Sequence, residues 1–279
     1  MDLIAVNFHV WKPCNYNCKF CFAVFDDVPG RLSRDEAIRV VEQIAPHCEK
    51  ITFVGGEPTL CPFLGDLIET AHARGLTTCV VSNGERLQPI LEHHAESLDW
   101  IGLSVDSADE DVCTRLGRGR GGHVRRSIEL ARLARARGSR IKLNTVVTAW
   151  SCDEDMTDLV RTIRPERWKV FRVLPIDGQN DGRVEPLLIT AAQFRAYLER
   201  HAHLAAEGFP PVAEDNEDMT GSYVMIDPMG RFFDNADGRL VYGPPILEHG
   251  VEQAFAGVRW ERQRMIGRGG LYPWRRRRT

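Results

Sequence analysis

The sequence predicts an α/β fold in which six strand–helix units form an open, partial barrel. Strand-like and helix-like segments alternate from the N-terminus to about residue 207, and strict alternation favours a parallel sheet covered by helices. Six units are two fewer than a closed eight-stranded barrel requires. The chain has 279 residues, of which 43% are hydrophobic, so it is long enough to bury a sizeable core.

Six strands and six helices make up the predicted barrel domain, residues 1–207. Strands are predicted where short runs are apolar or alternate with period two, at 4–10, 51–54, 77–81, 100–105, 141–147 and 168–174. Helices are predicted where apolar residues recur at helical spacing, at 33–48, 63–74, 85–96, 123–137, 153–163 and 191–206. The first helix begins at a capping box formed by Ser33 and Glu36.

Residues 208–279 form a predicted C-terminal extension, rich in proline and glycine, with one helix-like segment at 251–266. The formal net charge of −3 gives no reason to expect nucleic acid as a partner. The sequence shows no apolar run of the roughly 18 residues that a membrane span needs, and no signal pattern at its start. We therefore expect a cytoplasmic protein without a membrane or nucleic-acid partner.

Eight cysteines in a protein of this size that is expected to be cytoplasmic indicate metal or redox chemistry rather than a disulfide framework. Cys14, Cys18 and Cys21 lie within eight residues, directly after the first predicted strand. Three thiolates leave one iron of a [4Fe–4S] cluster open, and an open iron can chelate S-adenosylmethionine (SAM). The spacing matches the radical SAM superfamily signature, including the aromatic Phe20 before the last cysteine, which we count among the SAM-binding residues.

A structural zinc site is the alternative for these three cysteines. Such sites close with four ligands, usually arranged as two pairs. No fourth ligand lies nearby in the sequence, but a distant cysteine could supply it in space: Cys48, Cys61, Cys79, Cys113 or Cys152. Each of those five is also typical of a small buried hydrophobic residue.

Glycine and polar residues follow several predicted strands, where the loops of a parallel barrel face one cavity. Gly55, Gly56 and Glu57 follow the second strand and resemble the radical SAM motif that holds the amino group of SAM, since glycine permits close backbone approach to a ligand. The other residues at places where the superfamily contacts SAM are Ser82, Asn83, Ser104 and Arg118. Ordinary turn chemistry, or a solvated loop around Arg118, is the alternative.

Period-two alternation separates the two faces of each predicted strand. In the first strand the apolar side chains share one face, so Asn7 and His9 are predicted to point into the barrel. Cations on inward positions are costly unless paired, and a polyanionic substrate would pair them. The candidates for binding a triphosphate are Lys50, Lys142, Arg167 and Lys169. The alternative is that Lys50 and Arg167 are only exposed strand ends.

Nearly the whole chain resembles the viperin family, including its prokaryotic relatives. The most specific matches are Arg167-Trp168-Lys169-Val170-Phe171 and Gly269-Gly270-Leu271-Tyr272. Further matching runs are Val6-Asn7-Phe8-His9, Cys14-Asn15-Tyr16, Gly55-Gly56-Glu57-Pro58, Ser82-Asn83-Gly84, Gly117-Arg118-Gly119, Glu154-Asp155-Met156-Thr157, Ser222-Tyr223 and Arg231-Phe232. The amphipathic membrane helix of animal viperins is missing from this sequence, so localisation to a membrane is not expected here.

This resemblance implies a radical SAM partial barrel with a [4Fe–4S] cluster and SAM as cofactors, and a nucleoside triphosphate (CTP, GTP or UTP) as substrate. It implies that the adenosyl radical takes the 4′ hydrogen of the ribose and that water is lost across C3′–C4′. The product would be a 3′-deoxy-3′,4′-didehydro nucleotide, an antiviral chain terminator. The residues implied in substrate binding are Asn7, His9, Lys50, Lys142, Asn144, Arg167, Lys169 and Tyr272. Tyr272, on the C-terminal extension, would close the site over the nucleotide.

Two other functions stay open at this point. One is a different radical SAM reaction, such as cofactor synthesis or peptide modification. The other is a non-catalytic nucleotide sensor stabilised by a metal. The enzymatic interpretation implies an electron donor such as flavodoxin or ferredoxin as a partner. The sequence does not identify the preferred base. The run Arg275–Arg278 is expected to be a solvated end, with contact to the triphosphate as the alternative.

Overall fold

A computed structural model describes residues 1–274, and Arg275–Arg278 lies outside the described residues. The strands are β1 Ile4–Trp11, β2 Cys48–Gly55, β3 Thr77–Ser82, β4 Trp100–Ser104, β5 Arg140–Val147, β6 Arg167–Arg172, β7 Pro211–Glu214, β8 Val224–Ile226, β9 Arg231–Asp234 and β10 Val241–Pro245. The α-helices are α1 Arg34–Ile44, α2 Leu64–Ala73, α3 Gln88–His93, α4 Glu110–Arg115, α5 His123–Ala136, α6 Thr157–Ile163, α7 Ala191–Arg200, α8 Asn216–Met219, α9 Ile246–His249, α10 Val251–Phe255 and α11 Arg262–Gly267.

All described strands belong to one sheet, in the order β10-β9-β8-β1-β2-β3-β4-β5-β6-β7. From β8 to β7 every neighbouring pair is parallel, whereas β9 and β10 add an antiparallel edge beside β8. The predicted α/β class with a mostly parallel sheet is confirmed, and a partial barrel is consistent with it. None of the helices within residues 1–274 is long and apolar enough to cross a membrane.

The first strand and first helix show how the sequence builds the core. Val6, Phe8 and Val10 of β1 are almost fully buried and pack in one apolar cluster with residues of α1. Helix α1 begins at the predicted capping box, in which Glu36 N donates to Ser33 Oγ at 3.4 Å and Ser33 N donates to Glu36 Oε2 at 2.8 Å. The apolar face of β1 therefore packs on helices, and the opposite face is left for polar residues.

The C-terminal extension is built into the sheet instead of lying beside it. Strand β7 pairs with β6 at one end of the parallel region, and β8 pairs with β1 at the other. The predicted single helix at 251–266 is wrong, because the structure has two short helices, α10 and α11, separated by residues 256–261. Helix α4 and strands β7 to β10 were not predicted, since each has only three to six residues.

Candidate active site

The three predicted cluster cysteines lie in a loop directly after β1, at the C-terminal edge of the sheet. All three are free thiols; Cys14 is exposed, Cys18 is buried and Cys21 is half-buried. The main chain of this cysteine loop, residues 12–25, is held by the loop after α4. Asn17 N donates to Gly117 O at 3.2 Å, and Lys19 N donates to the neighbouring Leu116 O at 3.0 Å.

The two glycines at the end of β2, Gly55 and Gly56, allow the chain there to approach the cysteine loop closely. A Cβ at Gly56 would overlap the carbonyl oxygen of Lys12, and a Cβ at Gly55 would overlap that of Trp11. Gly56 N also donates to Trp11 O at 2.6 Å. In this structure glycine is therefore required for close approach of the β2 loop to the cysteine loop.

Glu57 joins the ends of β2 and β3 through its buried carboxylate, which is 1% exposed. Its Oε1 accepts hydrogen bonds from Ser82 Oγ at 2.6 Å and from Thr59 Oγ1 at 2.6 Å, and its Oε2 accepts from Asn83 N at 2.8 Å. Asn83 in turn donates to Asn15 Oδ1 in the cysteine loop at 2.8 Å. Burial raises the pKa of Glu57. The structure thus brings Glu57, Ser82 and Asn83 together beside the cysteines.

Arg118 is also close to the cysteine loop, and it is held in place by an internal ion pair. Its Nη2 lies 2.6 Å from Oδ2 of Asp106, which is almost fully buried, and its guanidinium lies 5.4 Å from the ring centre of Phe20. The carbonyl of Ser104 pairs with Nε2 of the buried His123 at 2.9 Å. Asp106 was missed in the sequence, because nothing local indicates that it would meet an arginine twelve residues further on.

The donor set of the cysteine loop fits an iron–sulfur cluster. Three thiols are available in one loop, and Cys14, the most exposed of them, accepts a hydrogen bond from Tyr16 N at 3.4 Å. Cysteine thiolates are the usual ligands of such clusters. Within residues 1–274, no three Cys, His, Asp or Glu side chains are grouped so as to hold a single metal ion.

A second polar region lies inside the sheet, where the inward faces of β1, β2, β5 and β6 border a cavity of about 60 Å³. Its lining includes six of the eight predicted substrate residues: Asn7, Lys50, Lys142, Arg167, Lys169 and Tyr272. Lys50 is only 3% exposed, so the alternative that it is an exposed strand end is excluded. The period-two alternation thus predicted the strand residues Asn7, Lys142, Arg167 and Lys169 on this cavity, whereas His9 and Asn144, predicted to face the same way, do not line it.

Tyr272 lies at the centre of the cations. Lys50 Nζ donates to its hydroxyl, and the Arg167 guanidinium stacks on its ring at 4.1 Å from the centre. Although burial opposes ionisation of the phenol, Lys142 and Lys50 lower the pKa of Tyr272 to about 8. Burial and repulsion from Lys142 lower the pKa of Lys50, also to about 8. The concentration of positive charge is therefore strong enough to favour an anion in this cavity.

Lys169 differs from the other cations because it has a carboxylate partner. Its Nζ lies 2.5 Å from Oε1 of the fully buried Glu214 and donates to Tyr223 Oη at 2.7 Å. Arg268 pairs with the same carboxylate at 3.0 Å. Burial alone would raise the pKa of Glu214, yet Lys169 and Arg268 lower it, so the carboxylate is ionised. Sequence reasoning did not single out Glu214 or Arg268, which meet only through the tertiary fold, and Tyr223 was noted only within a matching run.

Buried polar atoms without partners mark the same region. His9 Nδ1, Asn144 Oδ1 and Arg167 Nε are buried and have no hydrogen-bond partner within the described residues. Such atoms are rare in folded proteins and require an explanation. All three belong to the predicted substrate set, although His9 and Asn144 do not line the cavity itself. Burial lowers the pKa of His9 to about 3, so its imidazole is neutral.

Comparison with known proteins agrees with this geometry. Residues 10–164, which include the cysteine loop and strands β2 to β5, match the Radical SAM superfamily. The chain is also 43% identical to the S-adenosylmethionine-dependent nucleotide dehydratase of Flammeovirga pacifica, over 97% of this chain and 96% of that protein. The chain belongs to the S-adenosylmethionine-dependent nucleotide dehydratases, a radical SAM family. As a radical SAM enzyme it uses a [4Fe–4S] cluster and SAM.

Two further comparisons support membership of this family and the fold. The nucleotide dehydratase of Lacinutrix mariniflava is 42% identical over 97% of this radical SAM chain, which spans 58% of that protein's length. The solved structure of anSMEcpe with bound AdoMet and Cp18Cys peptide superposes with a TM-score of 0.71 at 14% identity, covering 90% of this chain and 80% of that one. The structural likeness confirms the radical SAM fold, and the sequence relatives identify the family.

Proposed function

We propose that this radical SAM enzyme is a lyase that dehydrates a nucleoside triphosphate, CTP, GTP or UTP, to its 3′-deoxy-3′,4′-didehydro analogue. The 4′ hydrogen would pass to the 5′-deoxyadenosyl radical, giving 5′-deoxyadenosine. The 3′ hydroxyl would leave as water after uptake of one proton and one electron from the external reductant, which leaves a C3′–C4′ double bond. Such a product lacks the 3′ hydroxyl needed for chain extension, so it would act as an antiviral chain terminator. The observation that carries the proposal is the cavity lined by three cations, Lys50, Lys142 and Arg167, that form no ion pair with a carboxylate of the described residues.

Three cations supply the proposed triphosphate site. Lys50, Lys142 and Arg167 form no ion pair with a carboxylate of the described residues, whereas Lys169 is neutralised by Glu214. Buried cations without counter-ions are costly, and a triphosphate would supply the missing negative charge. Arg167 also offers an unpartnered Nε for a directional hydrogen bond to phosphate oxygen.

The neutral residues are proposed to hold the ribose and base. Asn7 lines the cavity beside the cations, and the orphaned atoms of His9 and Asn144 can bond a sugar hydroxyl or a base edge. Tyr272 closes the cavity from the C-terminal extension and keeps water from the reacting ribose. Lys169, held by Glu214, is the remaining cationic contact.

The cysteine loop is proposed to hold the cofactors. Cys14, Cys18 and Cys21 would ligate three irons of the cluster, and with SAM bound at the fourth iron this centre supplies a 5′-deoxyadenosyl radical. The residues proposed to contact SAM are Phe20, Gly55, Gly56, Glu57, Ser82, Asn83, Ser104 and Arg118. Except for Ser104, whose carbonyl pairs with His123, their proximity to the cysteine loop supports this assignment. We also propose a cytoplasmic location and a one-electron donor such as flavodoxin or ferredoxin as partner.

An anaerobic assay tests the proposal. The cluster is reconstituted, and SAM and dithionite are added with CTP, GTP, UTP or ATP separately, followed by mass spectrometry. A nucleotide lighter by one water, formed in step with 5′-deoxyadenosine, is the expected result and identifies the base. Formation of 5′-deoxyadenosine with every nucleotide unchanged would overturn the substrate assignment, and Cys18→Ala serves as the control without cluster chemistry.

A further inference from the structure

The turn after β6, residues 176–183, lies against the cysteine loop and bonds it through three side chains. We call this segment the clamp turn. Gln179 and Asn180 of the clamp turn are 7% and 0% exposed, so both amides are shielded from water. Arg183 Nη1 donates to Asn17 Oδ1 at 3.0 Å, next to Cys18. A buried side-chain amide that hydrogen-bonds main-chain atoms holds a loop in place, because water cannot reach those main-chain atoms to replace the bond.

Gln179 holds the loop on the C-terminal side of Cys21. Its Oε1 accepts hydrogen bonds from Val24 N at 3.0 Å and from Phe25 N at 2.8 Å. Phe25 has a φ of 58°, a left-handed conformation that is costly for a bulky residue and persists only where its surroundings enforce it. The amide oxygen of Gln179 provides part of that enforcement.

Asn180 holds the loop on the N-terminal side of Cys21. Its Nδ2 donates to Phe20 O at 3.3 Å and to Leu174 O at 3.0 Å, while its Oδ1 accepts from Ile176 N at 2.9 Å. The side chain therefore ties the cysteine loop to the end of β6 and shapes the clamp turn itself. Cys21 is thus bracketed by bonds at residues 20, 24 and 25.

We propose that Gln179 and Asn180 are positioning residues that place the Cys21 thiol for cluster binding before any iron arrives. The inference rests on the proposed assignment of Cys14, Cys18 and Cys21 as cluster ligands. Cys14, by contrast, is exposed, and its sulfur accepts hydrogen bonds from Tyr16 N and Asn83 Nδ2 instead. The clamp turn acts through main-chain geometry and does not touch the reacting atoms.

Matched variants separate positioning from general stability. Asn180→Ala removes the clamp at Phe20, and Asn235→Ala is the control, because Asn235 is equally buried, accepts from Gly221 N at 2.9 Å and donates to Met219 O at 3.4 Å in the C-terminal extension. Gln179→Met removes the acceptor for Val24 and Phe25, together with the donor to Asp27 Oδ1 at 3.3 Å. This variant keeps the test available if either asparagine variant fails to fold.

Four measurements are made on each variant. They are hydrogen exchange of the iron-free protein, iron content after reconstitution, the electron paramagnetic resonance spectrum of the reduced cluster, and the midpoint potential of the cluster. We expect Asn180→Ala and Gln179→Met to exchange the amides of residues 20–25 about tenfold faster, to take up less than half the wild-type iron, and to show an altered spectrum. Asn235→Ala should match the wild type in these readouts.

Wild-type exchange, iron content and spectrum in Asn180→Ala and Gln179→Met would overturn the positioning role. Equal changes in Asn235→Ala would overturn it too, since they would reflect general destabilisation. If the wild-type protein itself took up no iron, the ligand assignment would fail, and the exchange of residues 20–25 would still decide whether the clamp turn orders the loop.

Discussion

Replacing Lys142 by methionine should weaken nucleotide binding but leave the stability of the empty protein nearly unchanged. Lys142 is 7% exposed and has no ion pair with a carboxylate of the described residues. Methionine has a similar length and fills the same space without charge. A lost hydrogen bond to a charged group costs about 1.5–3 kcal/mol, so the Kd for the triphosphate should rise about 10- to 150-fold.

The stability of the empty protein should change little. Although burial alone would lower the pKa of Lys142, the oxygen of Tyr272 raises it above its usual value, so the charged form has a partner in the empty protein. We therefore expect the free energy of unfolding to change by less than about 1 kcal/mol, because the relief of desolvation and the loss of this contact oppose each other. Lys169→Met is the matched control on the next strand. There the substitution deprives Glu214 of a partner at 2.5 Å, so the free energy of unfolding should fall by roughly 1–3 kcal/mol.

Calorimetric titration with each nucleotide, without reductant, measures binding, and thermal denaturation without nucleotide measures stability. Wild-type affinity in Lys142→Met would refute the assignment of the cavity as the triphosphate site. Equal losses of Tm in Lys142→Met and Lys169→Met would refute the charge argument, because the two lysines would then have equivalent surroundings.

Three further outcomes follow from the structure. The pKa of Lys50 is lowered from 10.5 to about 8, so between pH 8 and 10.5 the folded protein binds fewer protons than the unfolded chain. The free energy of unfolding of the wild type, relative to that of Lys50→Met, should therefore rise with pH in this window. A difference that stays constant with pH in urea denaturation would contradict this expectation. Gly117→Ala should disrupt the cysteine loop and reduce the iron content, because the added Cβ would overlap Asn17 O. Gly121→Ala is the control: Gly121 has a positive φ like Gly117, but an added Cβ would meet no atom within 4 Å, so this variant should retain iron. Cys18→Ala should abolish 5′-deoxyadenosine formation, measured by chromatography; retained formation would exclude Cys18 as a ligand.

The sequence was sufficient for the parts of the fold that depend on local patterns. The capping box at Ser33 and the six main strands depend on spacing within one segment, and all are present in the structure. The cavity residues Lys142 and Arg167 were placed on one face by alternation alone, and the two are register partners on β5 and β6. Their assignment to substrate binding stays a prediction.

Features that depend on distant segments could not be predicted. Strands β7 and β8 have four and three residues, and their pairing with opposite ends of the parallel region is set by tertiary register. Glu214 meets Lys169 only because β7 pairs with β6. Alternation turned His9 inward, yet it could not show that Phe25 and Phe233 would lie 5.1 and 5.3 Å from its ring.

The pairing of β8 with β1 makes the site a product of both ends of the chain. The cysteine loop is synthesised first, whereas Tyr272, which closes the cavity, follows about 250 residues later. At ~5–20 residues per second this is about 10–50 seconds of translation. Throughout that interval a nascent chain has its thiols but no enclosed cavity, so a cluster delivered early would face solvent. Ribosomes stalled before residue 224 would carry chains that lack β8, the strand that pairs with β1 on the side opposite to β2.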